Sequence, residues 1–236
     1  FVIFKLGATH YNKADDANWS EATFAYEFIN EQFYDNAKKC EEYGIPYGAY
    51  YLSNATTDEE YNKELNAVIN ALKDYNPTLP IYRDIEQISL YDFEYGGRER
   101  QIKYTIDFCD TLENLGYASG VYIPQNVTEN GQIEGLEDYS HWLCGGEYYN
   151  VKTTFDKMYL GYNSNSEYTY TLNGVNNVFQ SAQNIIVDDI GLNNKVDFDY
   201  ADKNFIDSLV KKEVVELIKK NFFKVLFLYV KITDKI

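Results

Sequence analysis

Basic side chains are scarce in this sequence. There are 21 Lys and Arg against 37 Asp and Glu, which gives a formal net charge of −16. Nucleic-acid binding relies on clustered Lys and Arg to neutralise phosphates, so this balance argues against a nucleic-acid partner. The shortage of basic side chains is confined to residues 1–202, which hold 13 basic and 33 acidic side chains (net −20). Residues 203–236 hold 8 basic and 4 acidic side chains (net +4). The C-terminal segment is therefore electrically distinct.

Long apolar runs and paired cysteines are also missing. No stretch approaches the roughly 18 to 20 apolar residues that cross a bilayer, and the apolar run 222–230 is interrupted by Lys224, so we expect no membrane partner. No export signal is visible. The three cysteines form no CxxC pair or Cys/His cluster and are interpreted as buried thiols: Cys40, Cys109 and Cys144. Neither a metal nor a cofactor is expected.

An alternation of short strand-like runs and longer amphipathic stretches fills the first half of the chain. Runs rich in β-branched and aromatic residues lie at 1–6, 47–52, 80–86 and 119–123. Helical periodicity lies between them at 29–43, 58–74 and 98–115. Repeated units of this kind predict parallel strands with right-handed crossovers. Beyond residue 140 the pattern becomes strand-rich, with runs at 141–147, 155–161, 176–180 and 195–199. A helical face returns at 203–220.

Two features favour a barrel over an open doubly wound sheet. No glycine-rich phosphate fingerprint follows the early strands, which weakens a dinucleotide-binding interpretation. Acidic residues gather at the predicted carboxyl ends of strands, where barrels carry their chemistry. We therefore expect an α/β fold of the modified TIM type, in which βα units are followed by strands. The expected organisation is one domain at 1–202, followed by a closing helix and tail at 203–236.

The most informative cluster is Asp84-Ile85-Glu86, at the end of the predicted strand 80–86. Residues two apart in a strand share a face, so both carboxyl groups project the same way. Like charges at this range raise the pKa of one carboxyl group, and glycosidic cleavage needs a protonated carboxylic acid as proton donor. A solvated acidic strand end is the alternative, but the pair closes a buried apolar run, where such a patch is least expected.

A second acidic cluster, Asp197-Phe198-Asp199, ends the last predicted strand. By the same alternation Asp197 and Asp199 share a face, and in a closed barrel one of them could approach Glu86. Asp199 and Asp202 could instead cap a helix that begins near residue 203. Asp197 is too early for capping and is the better candidate for the site.

Taken in order, these segments resemble glycoside hydrolase family 25, the lysozymes of phages, bacteria and some fungi. The resemblance covers roughly residues 1–202. It is carried by FVIFKLG at 1–7, CEEYGIPYGAYY at 40–51, LPIYRDIE at 79–86, GVYI at 120–123, HWLCGG at 141–146, NVFQSA at 177–182 and KVDFD at 195–199. It implies a modified barrel of five βα units followed by strands. It also implies a muramidase that cleaves the β-1,4 bond between N-acetylmuramic acid and N-acetylglucosamine in peptidoglycan.

The resemblance also implies residue roles. Glu86 would donate the proton, with Asp84 and Asp197 orienting the site or stabilising charge. Three aromatic residues would stack on sugars: Tyr50, Tyr122 and Trp142. The protein would be a monomer that acts outside the cell or in the cell wall, secreted or delivered by a phage.

The sequence departs from the family pattern in two ways. The family's first strand, with its aspartate, would lie before Phe1, so we expect an N-terminally incomplete barrel. Arg83 stands where the family usually has an apolar residue, and its charge needs a partner. A chitinase-like hydrolase of N-acetylglucosamine polymers is one alternative, although Tyr82 interrupts its DxDxE pattern. A non-catalytic carbohydrate-binding barrel is another.

Overall fold

The computed structural model describes residues 1–128, 133–149, 152–153, 176–187 and 192–201, with Ile206, Ser208 and Leu209. Its strands are β1 Val2–Asn12, β2 Thr23–Ile29, β3 Tyr47–Ser53, β4 Ile81–Ile85, β5 Ser119–Pro124, β6 Ser140–Tyr149, β7 Lys152–Thr153, β8 Asn176–Val187 and β9 Leu192–Ala201. Its helices are α1 Glu31–Tyr43, α2 Asp58–Leu72, α3 Gln87–Glu94 and α4 Arg98–Asn114, and short 3₁₀ turns lie at Trp19–Glu21 and Gln125–Val127. No helix within these ranges is long and apolar enough to cross a membrane.

All strands belong to one mainly parallel sheet. Its order is β2-β1-β3-β4-β5-β6-β8-β7, with β9 also paired to β8. The antiparallel pairs are β1 with β2 and β8 with β9. The architecture is thus mixed α/β, as the sequence predicts. Among the described residues no strand pairing closes the sheet into a ring.

The predicted early elements are confirmed, and two elements are additional. The four early strands and three helices all form within a few residues of their predicted bounds. The sequence analysis missed β2, because β1 continues to Asn12 and β2 pairs back on it before α1 begins. It also missed α3, a short helix directly after the acidic strand. The predicted run 155–161 and most of the predicted helix 203–220 lie outside the described residues, although Ile206, Ser208 and Leu209 are helical.

Local signals fix the helix ends. Thr57 and Glu60 form a reciprocal capping box at the start of α2, and the Asn30 side chain accepts a hydrogen bond from the Gln32 backbone at the start of α1. Gly44 ends α1 in the left-handed conformation, at φ 67°. These ends set the position of each helix against the sheet.

The sheet has two different faces. Side chains such as Phe4, Tyr47 and Ile81 alternate onto the outer face, where the helices cover them. The other face, called the inner face here, carries a buried cluster made of Tyr82, Tyr122, Trp142 and Val178. Ile3 of β1 and Ala201 of β9 both contact this cluster. The sheet therefore curves enough for its first and last strands to share one core.

Cysteine burial largely follows the sequence prediction. Cys40 and Cys109 are buried on the outer, helix-covered side, and Cys144 is partly buried beside the inner cluster. None of the three forms a disulfide with another described cysteine. Burial raises the pKa of Cys40 and Cys109 to about 12, so both thiols stay protonated.

Candidate active site

Both acidic pairs lie near the carboxyl end of a strand. Asp84 is the fourth residue of β4 and pairs with Tyr122 of β5, and Glu86 follows directly as the residue before α3. Asp84 is only 5% exposed, whereas Glu86 is partly exposed. Glu86 is thus the member of the pair that an external ligand can reach.

Burial dominates the electrostatics of this pair. Desolvation raises the pKa of Asp84 well above its ordinary value, and the charge of Glu86 raises it further. Desolvation also raises the pKa of Glu86, while the charge of Lys5 and an interaction with the Tyr122 hydroxyl lower it. The sequence analysis predicted a raised pKa through mutual repulsion, but the larger cause here is loss of water. Asp84 Oδ1 is buried without a hydrogen-bond partner among the described residues, which fits a neutral carboxyl group.

The β9 pair joins the same side of the sheet. The indole Nε1 of Trp142 donates a hydrogen bond of 2.8 Å to Asp199 Oδ1. Gln180 Nε2 donates to Asp197 Oδ2 at 3.2 Å, and the Tyr122 hydroxyl donates to Gln180 Oε1 at 2.8 Å. Tyr122 also interacts with Glu86 and lowers its pKa, so a chain of polar side chains runs from Glu86 through Tyr122 and Gln180 to Asp197.

Asp199 and Asp197 differ in environment. Burial raises the pKa of Asp199 to about 7, with a smaller contribution from the charge of Asp197 and opposition from the Trp142 hydrogen bond. Asp197 is exposed. The carboxyl group of Asp199 accepts the hydrogen bond from Trp142 of the inner cluster, and the start of the helix that it was expected to cap lies outside the described residues.

The three candidate aromatic residues come together, and two are buried. Trp142 lies edge-on to Tyr122 at 4.6 Å and to Tyr50 at 5.8 Å between ring centroids, and it also contacts Tyr82 at 5.3 Å. Trp142 and Tyr122 are 4% and 5% exposed, whereas Tyr50 is partly exposed. Their stacking on sugar remains a prediction. In this structure they pack against one another on the same face of the sheet as the carboxyl groups.

Arg83 finds its partners on the outer face. Its guanidinium donates to Ser53 Oγ at 2.9 Å and to Gln101 Oε1 at 2.7 Å, and Ser53 Oγ donates in turn to Glu64 Oε2 at 2.6 Å. Glu64 also accepts from Thr9 Oγ1 at 2.5 Å. A buried Arg–Glu pair bridged by serine therefore anchors the strand that carries Asp84.

The turn after Glu86 is strained and clamped. Gln87 has φ 52°, a left-handed conformation that is uncommon outside glycine. Asn54 holds this turn, because its Oδ1 accepts from the Ile88 backbone at 3.1 Å and its Nδ2 donates to Gln87 Oε1 at 3.3 Å. Strain that the surroundings enforce is a feature of functional sites, and here it fixes the direction in which the chain leaves Glu86.

Several solved structures have a fold similar to that of this chain. No family sequence model and no curated protein sequence match the chain. A solved structure of GHIP, a glycosyl hydrolase 25 of Streptococcus pneumoniae, matches 92% of this chain and 80% of its own, with TM-score 0.56 and 15% identity. The fold of this chain is similar to that of this glycosyl hydrolase 25.

Two endolysin structures also match this fold. The catalytic domain of endolysin ply40, from bacteriophage P40 of Listeria monocytogenes, aligns over 88% of this chain and 84% of its own, with TM-score 0.56 and 15% identity. The CTP1L endolysin aligns over 77% of this chain with TM-score 0.52 and 16% identity, and this chain spans 56% of its length.

Two residues of the site escaped the sequence analysis. Lys5 on β1 acts electrostatically on both Asp84 and Glu86, and Gln180 links Tyr122 to Asp197. Lys5 and Gln180 carry a weak signal, since each is a polar residue in a strand-like run of the family 25 resemblance. Within the described ranges no group of three or more His, Cys, Asp and Glu could hold a metal ion.

Proposed function

We propose that this chain is a peptidoglycan hydrolase, a lysozyme that cleaves the β-1,4 bond between N-acetylmuramic acid and N-acetylglucosamine. The observation that carries the proposal is the partly exposed Glu86, whose raised pKa makes it a proton donor. It stands between a buried Asp84 and the Asp197–Asp199 pair. The fold match to a glycosyl hydrolase 25 and to two endolysins supports this assignment.

The roles follow from accessibility. Glu86 gives its proton to the glycosidic oxygen, and the N-acetylglucosamine leaves as the free alcohol. Asp84 is too buried to attack the sugar directly, so we assign the nucleophile to the substrate's own acetamido oxygen, which forms a cyclic oxazolinium at the anomeric carbon. Asp84 orients this group, and the exposed Asp197 balances its charge. Water then opens the ring and returns a proton to Glu86, which restores the acid.

The same proposal extends to the shape and place of action of the protein. Because Ile3 of β1 and Ala201 of β9 share the inner core, we assign a modified barrel to the catalytic domain at 1–202, with 203–236 as its closing segment. A protein that degrades peptidoglycan acts at the cell wall, outside the cell or delivered by a phage.

The decisive experiment is turnover on purified cell walls with the Glu86→Gln variant as comparison. We expect wild-type protein to release new reducing ends at N-acetylmuramic acid. The variant should lose about 10²–10⁴-fold in rate, the usual contribution of a general acid, while keeping its melting temperature. Lysis by the variant at the wild-type rate would refute the role of Glu86. Turnover of chitin but not of peptidoglycan would favour the chitinase-like alternative, and glycan binding without turnover the non-catalytic one.

A further inference from the structure

The ribbon formed by β1 and β2 extends beyond the rest of the sheet at the edge that carries Glu86. The pairing of β1 with β3 ends at Ala8, opposite Leu52, and Leu52 is opposite Asp84 of β4. Two residues further along each strand, His10 and Glu86 are at the same level of the sheet. Their strands are two spacings apart, roughly 10 Å. The ribbon therefore stands beside the candidate active site.

A row of aromatic rings lies on this ribbon. His10 is opposite Tyr26, and Ala8 is opposite Phe28, so these side chains share a face. The His10 ring is stacked on Phe28 and tilted against Tyr26, with 4.7 Å between centroids in both cases. Tyr26 is 56% exposed, and His10 is also exposed. The three rings, His10, Phe28 and Tyr26, are called the aromatic row below.

The aromatic row is on the active-site side of the ribbon. Lys5 Nζ lies 5.9 Å from the centroid of the Phe28 ring. The same Lys5 acts electrostatically on Asp84 and Glu86. Lys5 is thus close to Phe28 and also acts on the two carboxyl groups. One surface of the protein therefore runs from Glu86 past Lys5 to the aromatic row.

Exposed aromatic rings on an edge strand need a reason. An apolar edge invites association with other chains, and proteins usually protect such edges with charge or a cover. Aromatic rings with polar ends suit a sugar, because the ring face contacts the apolar side of the sugar while a hydroxyl or imidazole hydrogen-bonds to its rim. Tyr26 and His10 have both properties.

We propose that the aromatic row binds a sugar residue of the glycan strand beyond the bond that is cut. The proposal rests on the proposed function for the identity of the glycan, but its binding surface is separate from the catalytic carboxyl groups. It predicts that recognition improves with strand length, because a glycan bound at Glu86 has to extend two to three strand spacings, roughly 10–15 Å, to reach His10 and Tyr26.

The test measures the affinity of defined peptidoglycan tetrasaccharides and octasaccharides in the Glu86→Gln background, where binding is not followed by cleavage. We expect Tyr26→Ala and His10→Ala each to weaken octasaccharide binding by about 3- to 10-fold, the range for one aromatic contact. Tetrasaccharide binding should weaken less. Phe1→Ala is the matched control, because Phe1 is 45% exposed at the opposite end of β1. Melting temperatures establish that each variant folds.

The two proposals can fail separately. If the wild-type chain cleaves peptidoglycan but the Tyr26 and His10 variants bind both lengths as the parent does, the aromatic row has no role in binding. If the chain cleaves nothing yet the octasaccharide affinity depends on Tyr26, the catalytic proposal fails and the aromatic row remains a glycan site. If neither length binds to the parent, the inferred sugar site is wrong.

Discussion

Replacing Asp199 by Asn tests whether this carboxyl group is held neutral against the inner cluster. The pKa of Asp199 is raised from 3.8 to about 7, chiefly by burial. A raised pKa in the folded state means that this group's contribution to stability is fully present below pH 3.8. It is lost as the pH rises through 7. A shift of about 3 units corresponds to about 4 kcal/mol at most.

The amide is neutral at every pH and can still accept from Trp142 Nε1. We therefore expect Asp199→Asn to become more stable relative to wild type by about 3–4 kcal/mol between pH 4 and pH 8. Urea unfolding at several pH values measures this difference by fluorescence. A Trp19→Phe background leaves Trp142 as the reporter, since the chain has two tryptophans. Asp35→Asn, which removes an exposed carboxylate on α1, controls for the charge itself. A difference that does not change with pH would refute the reasoning.

The remaining predictions concern the polar groups around the catalytic strand. Lys5→Met should move the alkaline limb of the pH–activity profile upward, because Lys5 lowers the pKa of Glu86 and the acid must be protonated. The exposed Lys38→Met on α1 should leave the limb in place, and an unmoved limb in the Lys5 variant would contradict the assignment. Glu64→Gln should lower the free energy of unfolding by about 3–5 kcal/mol, because it leaves the buried Arg83 without its opposite charge. Urea titration of the double variant Glu64→Gln/Arg83→Met should show a smaller loss than the single-variant sum. Simple additivity would show that the pair is not coupled.

Periodicity and composition were sufficient for the architecture of the first half apart from β2 and α3. Apolar alternation and helical spacing located β1, β3, β4 and β5 with their helices, because these elements bury one face and repeat it regularly. The acidic pair on β4 was predictable for the same reason, since alternation alone puts Asp84 and Glu86 on one face. The edge strand β2 was not predicted, because it forms by pairing with the end of β1, and the apolar pattern does not show this pairing.

Only the tertiary structure decided what surrounds each carboxyl group. Strand alternation places Asp84 and Glu86 together, but in the folded chain Asp84 is buried and Glu86 is partly exposed. This difference depends on how the whole sheet curves, and it affects the pKa of each group. Contacts between distant segments could not be predicted from the sequence either: Arg83 donates a hydrogen bond to Ser53, and Ser53 donates one to Glu64. The positions of these charged side chains in the strands could therefore be predicted from the local sequence. Their ionisation and their hydrogen-bond partners depend on long-range packing, because desolvation and hydrogen bonding involve neighbours from other strands.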